Sequence, residues 1–350
     1  MNGNSFQEVI YGGFSNNTTI NDNSHQSIQS DGIANGSIIN NTGMLTVTTG
    51  GKLIGQTVVN DQGTFEGPDG TVQNEGELIF QRSEDYTLNF DLAGTGSLTQ
   101  NGPHSLTLST ASSYSGATTI NGGSIKAGAD NVFSTLSDYT THTGGTLDLD
   151  GYNQTLQSLN NGGAVSFGGI GGNTLTITGD YIGNNGLLNM NSVLEDDDSV
   201  TDKLIIGGNT SGNTYVQVNN LGGSGAPTLN GIELITVAGN SDGEFTQRGR
   251  IVAGAYDYYL ERGIGSNEAN WYLSNAIRTS IPSPGAPQAP EPPIVELPEI
   301  SLPPVDSLGT PQPMVERPEA SGYSANLAAA NNMFVTRLHD RLGETHYIDA

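Results

Sequence analysis

A β-branched residue followed by asparagine recurs at Ile20-Asn21, Ile39-Asn40 and Val59-Asn60, at spacings of 19 and 20 residues. Glycine pairs keep a similar beat. Gly12-Gly13 and Gly50-Gly51 precede the first and third of these sites, and Gly122-Gly123, Gly144-Gly145 and Gly162-Gly163 follow at intervals of 22 and 18. A unit this short cannot bury its own apolar face, so it must stack on a copy of itself. Between the punctuation, Met44-Leu-Thr-Val-Thr48, Ser105-Leu-Thr-Leu-Ser109, Thr146-Leu-Asp-Leu-Asp150 and Thr174-Leu-Thr-Ile-Thr178 alternate apolar and polar residues. Successive side chains of a strand point to opposite faces, so this period of two marks half-buried strands. Two or three short strands in each turn of some twenty residues define a β-solenoid. Spread over residues 1–275, the period predicts about 12–13 coils. The other home for many short strands, a sandwich or barrel, rarely carries such self-similarity.

Composition alone points elsewhere. Glycine makes up 49 of 350 residues, and the apolar fraction is 34%, against about 45–50% in ordinary domains. Such numbers suit a disordered chain, but disordered chains lack strand alternation. The net charge is −25, with 11 Lys and Arg. A nucleic-acid partner needs a basic footprint to neutralise phosphates, and a polybasic membrane contact needs the same charge. The balance argues against both and suits an extracellular surface. Cysteine is absent, which fits a chain that crosses an oxidising compartment without becoming crosslinked. Met1-Asn-Gly-Asn has neither the charged nor the apolar region of a signal peptide, so an exported protein is read here as a fragment. No apolar run approaches the ~18 residues of a membrane helix.

Four blocks follow from these shifts. Residues 1–110 hold the clearest repeats, and 111–277 continue the coils. Residues 278–318 form a linker: Ile281 to Pro318 contains 12 of the 15 prolines, a stiff polyproline-type spacer that cannot pair in a sheet. In 319–350, Leu327, Phe334, Leu338 and Leu342 share one helical face and Gly343 stands at a cap position, which predicts a helix over 323–342.

Several segments together resemble the pertactin-like and self-associating autotransporters of Gram-negative bacteria. Tyr114-Ser-Gly-Ala-Thr-Thr-Ile-Asn-Gly-Gly-Ser-Ile-Lys-Ala-Gly-Ala-Asp-Asn-Val-Phe-Ser134 resembles the autotransporter-associated strand repeat, and Gly145 to Leu156 the coil after it. The stretch from Gly179-Asp-Tyr181 to Trp271-Tyr-Leu273 is similar to the C-terminal autochaperone region. It includes Asp198-Ser-Val-Thr-Asp-Lys-Leu-Ile-Ile206, Gly231-Ile-Glu-Leu-Ile235, Gly254-Ala-Tyr-Asp-Tyr258 and Asn270-Trp-Tyr-Leu273. Ala325-Asn-Leu-Ala-Ala-Ala-Asn331 resembles the segment that joins passenger to translocator.

The resemblance implies an all-β fold: a right-handed parallel β-helix, followed by the proline-rich linker and a short helix leading to an outer-membrane β-barrel beyond Ala350. It implies a non-enzymatic passenger at the cell surface, anchored through that barrel, that acts in adhesion, self-association or biofilm formation. Its partners would be the β-barrel translocator of the same polyprotein, and a second copy or a host-surface or matrix receptor. The alternative is a stem and autochaperone whose effector lies upstream.

Candidate chemistry is sparse. The five histidines, His25, His104, His142, His339 and His346, accompany no Gly-x-Ser-x-Gly elbow. No catalytic, cofactor-binding or metal-binding residue is expected. The run Glu195-Asp-Asp-Asp198 reads either as oxygen ligands for a hard cation or as a solvated acidic turn. Without an Asp-x-Asp-x-Asp-Gly loop, the turn is the expected reading. The aromatic group Tyr256, Tyr258, Tyr259, Trp271 and Tyr272 stands out in a chain with a single tryptophan. Aromatic side chains bury large areas, and these five are expected to form the folding and secretion nucleus, which would also cap the last coil.

Overall fold

The computed structural model describes residues 1–276. The linker expected at 278–318 and the helical segment at 319–350 lie outside the described residues. Each alternating segment becomes a strand at the predicted place: Met44–Val47, Ser105–Leu108, Gly145–Asp148 and Thr174–Ile177. The described residues are all-β, with one short 3-10 turn at Gly265–Asn267.

The strands stack in parallel as a β-solenoid of about nine turns. One partner chain runs Thr18, Ser37, Thr57, Leu78, Leu98, Thr118, Tyr139, Leu159, Tyr181 and Thr210, each residue level with the next. The step is 19 to 22 residues as far as Tyr181, then 29 from Tyr181 to Thr210 and 31 from Asn213 to Glu244. The turn count is therefore below the 12–13 that a constant period predicts, because the later coils carry longer loops.

The core follows from the alternation. Leu106, Ile125, Leu147, Val165, Leu188 and Val216 form one continuous buried file, each in register with its neighbour. Leu175, Leu204 and Ile235 form another. The repeated asparagines make an amide ladder. Asn21 Nδ2 donates to Asn2 Oδ1, Asn40 to Asn21 at 2.8 Å, Asn60 to Asn40 at 2.8 Å, and Gln81 to Asn60. The residue after each of the first three repeat asparagines turns the corner with a positive φ: Asp22 at 53°, Asn41 at 51° and Asp61 at 49°. Asn and Asp tolerate this left-handed region better than other side chains. The repeat thus supplies the inward aliphatic residue, the ladder amide and the corner in three consecutive positions.

Parallel pairing does not continue to residue 275. Trp271–Ser274 runs antiparallel between Ile232–Val237 and Tyr256–Arg262, and Ile251–Ala253 pairs antiparallel with Tyr256–Arg262. Only Gly254 and Ala255 join the last pair. A two-residue connection can form a hairpin but not the long crossover a parallel pair needs. Gly254 takes φ +53°, and a Cβ there would lie 1.9 Å from the Ser224 carbonyl oxygen.

Candidate functional site

The reversal closes the solenoid with a cap. Phe245, on Glu244–Gln247, is the last inward aromatic of the parallel stack. Its ring stacks on Tyr181 at 5.7 Å between centroids and meets Trp271 edge-to-face at 5.4 Å. Trp271 is 3% exposed. Arg262, its cross-strand partner, has its guanidinium carbon over the indole, 4.5 Å from the centroid. That guanidinium also donates to the carbonyls of Ser241 at 2.7 Å and Gly243 at 2.8 Å. One arginine therefore joins the loop before Phe245 to the face of Trp271, and an attractive cation–π contact adds to the charged hydrogen bonds.

Of the five aromatics singled out in the sequence, the structure seats three in the buried cap. Trp271 is described above. Tyr258 is buried, donates its hydroxyl hydrogen to the Glu195 carbonyl at 2.8 Å and accepts from the Ala226 N–H at 3.0 Å. Tyr272 is buried along its ring and donates to Glu233 Oε1 at 3.0 Å. Tyr256 packs partly against the core. Tyr259 lies 47% exposed, level with Ser274. The ring stack around Trp271 is completed instead by Tyr181 and Phe245, and by Arg262, which the sequence reading did not select. The signal that could have found them is alternation, since Tyr181 and Phe245 occupy inward positions of their strands.

Tyr181 also ends a buried polar chain. Thr141 Oγ1 donates to Asn161 Oδ1 at 2.9 Å, Asn161 Nδ2 donates to the Tyr181 hydroxyl at 3.2 Å, and that hydroxyl bonds Thr214 Oγ1 at 2.9 Å. Burial pushes the Tyr181 phenol up to about 12, because the charged phenolate is disfavoured away from water.

The acidic turn keeps Asp196 and Asp198 exposed, while Glu195 and Asp197 reach the next coil. Asp197 accepts from the backbone N–H groups of Leu229 at 2.9 Å, Asn230 at 2.7 Å and Gly231 at 3.0 Å. Glu195 accepts from Ser224 N at 2.8 Å and Oγ at 3.0 Å. Asp202, fully buried, accepts from Asn173 N at 2.9 Å and Asn191 N at 2.7 Å. Burial raises the Asp202 carboxyl, and these hydrogen bonds oppose the shift. Glu195, Asp197 and Asp202 are thus each held by protein N–H groups. Asp257 in the hairpin likewise holds Arg250 in a two-point pair, Nε and Nη2 each at 2.8 Å.

No group of three or more His, Asp or Glu side chains is arranged to hold a metal among the described residues. His25 Nε2 bonds Thr46 Oγ1 at 3.0 Å, and His104 lies 3.7 Å from Asp85.

Comparison with known proteins matches a family model to the C-terminal coils and part of the cap. The family described as Autochaperone Domain Type 1 matches residues 154–260. The uncharacterized protein YuaQ of Escherichia coli K12 is 43% identical over 282 residues, covering 80% of this chain and 19% of that protein. The autotransporter adhesin AIDA-I of Escherichia coli is 38% identical over 173 residues, covering 49% and 11%. The adhesin BmaC autotransporter of Brucella suis is 40% identical over 146 residues, covering 39% and 4%. The chain thus spans less than a fifth of the length of each of these three relatives.

Proposed function

We propose that this chain, which belongs to the passenger regions of autotransporters, is an adhesin-type segment whose C-terminal cap promotes the folding and secretion of the coils before it. The observation that carries this reading is the buried Tyr181–Phe245–Trp271 stack clamped by Arg262, together with the autochaperone match. Coils of a solenoid cannot bury their faces alone, and ordering the first ones costs chain entropy that later coils do not repeat. A cap with its own aromatic core and antiparallel pairing supplies a stable edge on which the next coil adds. Tyr256, Tyr258, Trp271 and Tyr272 serve this nucleus, and Tyr259 contributes an outward face. In the four-block organisation, residues 1–110 are the adhesin-like coils and 111–277 the coils that carry the cap.

In this reading the segment works at the cell surface. The 278–318 linker and 319–350 helix connect it to the outer-membrane β-barrel translocator of the same polyprotein. Its role is non-enzymatic and lies in adhesion, self-association or biofilm formation, with a second copy or a host-surface receptor as partner. Its small share of each relative's length supports a second reading, a stem and autochaperone with the effector elsewhere. Cell aggregation with this segment displayed separates the two: clumping favours the adhesive role, and dispersed cells favour the stem.

The folding role is tested by display. Trp271→Ala removes a buried indole, a change that costs about 3–5 kcal/mol. Leu53→Ala removes a fully buried leucine in the N-terminal coils, at about 2–5 kcal/mol. Trp271→Ala slows surface display and exposes the passenger to protease far more than Leu53→Ala does. Equal display of the two variants contradicts the proposal.

A further inference from the structure

We infer that Asp197 is a positioning residue of the folding nucleus, a latch through which the cap sets the place of the coil before it. The inference rests on the folding role proposed above and names the residue that couples cap to coils. Two loops and a strand of the cap meet at the acidic turn. The loop after Tyr181–Ser192 contains Glu195 to Asp198, and the loop after Thr210–Asn220 contains Leu221 to Gly231. The Asp197 carboxylate takes three consecutive N–H groups of the second loop, from Leu229 to Gly231, and the Asn230 side-chain amide at 3.2 Å. Two residues earlier, Glu195 takes Ser224 through both its N–H and its hydroxyl. The backbone of the same turn receives the third element: the Glu195 carbonyl accepts the Tyr258 hydroxyl from the cap hairpin, 63 residues on.

This turn is where one loop, the next loop and the cap are joined by hydrogen bonds. Its close fit is visible at Gly223, where a Cβ would stand 2.2 Å from the Leu194 backbone nitrogen and oxygen. The bonds have a direction that suits templating. The loop of residues 221–231 has no regular strand of its own, and the N–H groups of Ser224, Leu229, Asn230 and Gly231 take their partners from the acidic turn. A carboxylate that accepts three backbone N–H groups fixes their conformation at one point, and hydrogen bonds to a charged acceptor are the stronger kind. Burial of Tyr258 in the cap therefore orders Glu195, and Asp197 two residues on orders the loop that leads into Ile232–Val237. That strand is the one against which Trp271–Ser274 closes. The latch makes one cooperative unit of segments far apart in sequence.

Refolding and unfolding rates of the full 350-residue chain test this. The variants are Asp197→Asn and, as a control of the same chemistry far from the cap, Asp69→Asn. Asp69 accepts from Thr49 N at 2.8 Å and Thr49 Oγ1 at 3.0 Å in the N-terminal coils. A bond already made in the rate-limiting nucleus lowers the folding rate when removed, and a bond made later raises the unfolding rate. Asp197→Asn slows refolding about tenfold with unfolding changed less than twofold, while Asp69→Asn leaves refolding as it was. If Asp197→Asn does not refold, Glu195→Gln carries the same comparison with a smaller slowing. Wild-type refolding with faster unfolding in both turn variants overturns the inference. Slower refolding of Trp271→Ala in the same series would then leave the cap's folding role standing, and unchanged refolding of Trp271→Ala would remove that role as well.

Discussion

Arg262 and Trp271 are cross-strand partners, and the guanidinium lies 4.5 Å over the indole while its nitrogens hold the Ser241 and Gly243 carbonyls. Replacing Arg262 by Ala removes the cation–π contact and leaves two carbonyls without that donor. The cost is about 2–3 kcal/mol. Arg262→Lys keeps the charge but loses the flat fork, and recovers less than half of that. Thermal melting of the two variants beside the wild-type chain measures both steps.

The amide ladder is a stability element of the N-terminal coils. Asn40→Leu removes the bond to Asn21 and the bond from Asn60, and costs about 1–2 kcal/mol by denaturant unfolding. Asn40→Asp introduces a carboxylate that cannot donate to Asn21 Oδ1 and is repelled by it. Protonation restores a donor toward Asn21 Oδ1, so the loss of stability relative to the wild-type chain is larger above about pH 4 than below it. A loss relative to wild type that widens below about pH 4 contradicts the ladder geometry.

Much of the solenoid was legible because its information is local. Alternation within four residues set each strand, and Ile20-Asn21 with Ile39-Asn40 set the period and the ladder. The end of the solenoid was not legible in the same way. Its reversal depends on a two-residue connection at Gly254-Ala255, and its ring stack joins Tyr181 to Phe245 and Trp271 from three strands. The acidic turn is exposed at Asp196 and Asp198, as a solvated turn is, but the partners of Asp197 were not legible because its N–H donors lie 32 to 34 residues downstream. Coil length escaped for a related reason: a longer loop changes the step without changing the strand pattern.

Alkaline pH acts through the buried phenols. The Tyr181 phenol sits at about 12 in the folded chain against 10.0 for an unperturbed one. Its contribution is fully present below pH 10 and is lost as pH rises toward 12, because the unfolded chain ionises first. Two pH units correspond to about 2–3 kcal/mol. Burial also raises the phenols of Tyr114 and Tyr139, which adds to the same loss. Tyr181→Phe is less stable at neutral pH, through the bonds lost to Asn161 and Thr214, and its stability declines less between pH 10 and 12. Urea midpoints across that range give the two curves, and identical slopes contradict the assignment.

Local stability is graded along the chain. The cap end, with its aromatic stack and carboxylate staples, melts after the N-terminal coils, so guanidinium unfolding proceeds in two transitions. Residues after about 110 keep slow amide exchange through the first. Loss of protection at the cap before the ladder coils contradicts this order.

The chain holds a single tryptophan, and it is Trp271. Its fluorescence therefore reports the cap alone, while far-ultraviolet circular dichroism reports the whole solenoid. Refolding from guanidinium, followed by both signals in the same mixing experiment, tests the central claim that the cap forms first and the coils add to it. Native Trp271 emission recovers in a fast phase, before most of the strand signal returns. Recovery of Trp271 emission together with the strand signal, or after it, contradicts a C-terminal folding nucleus.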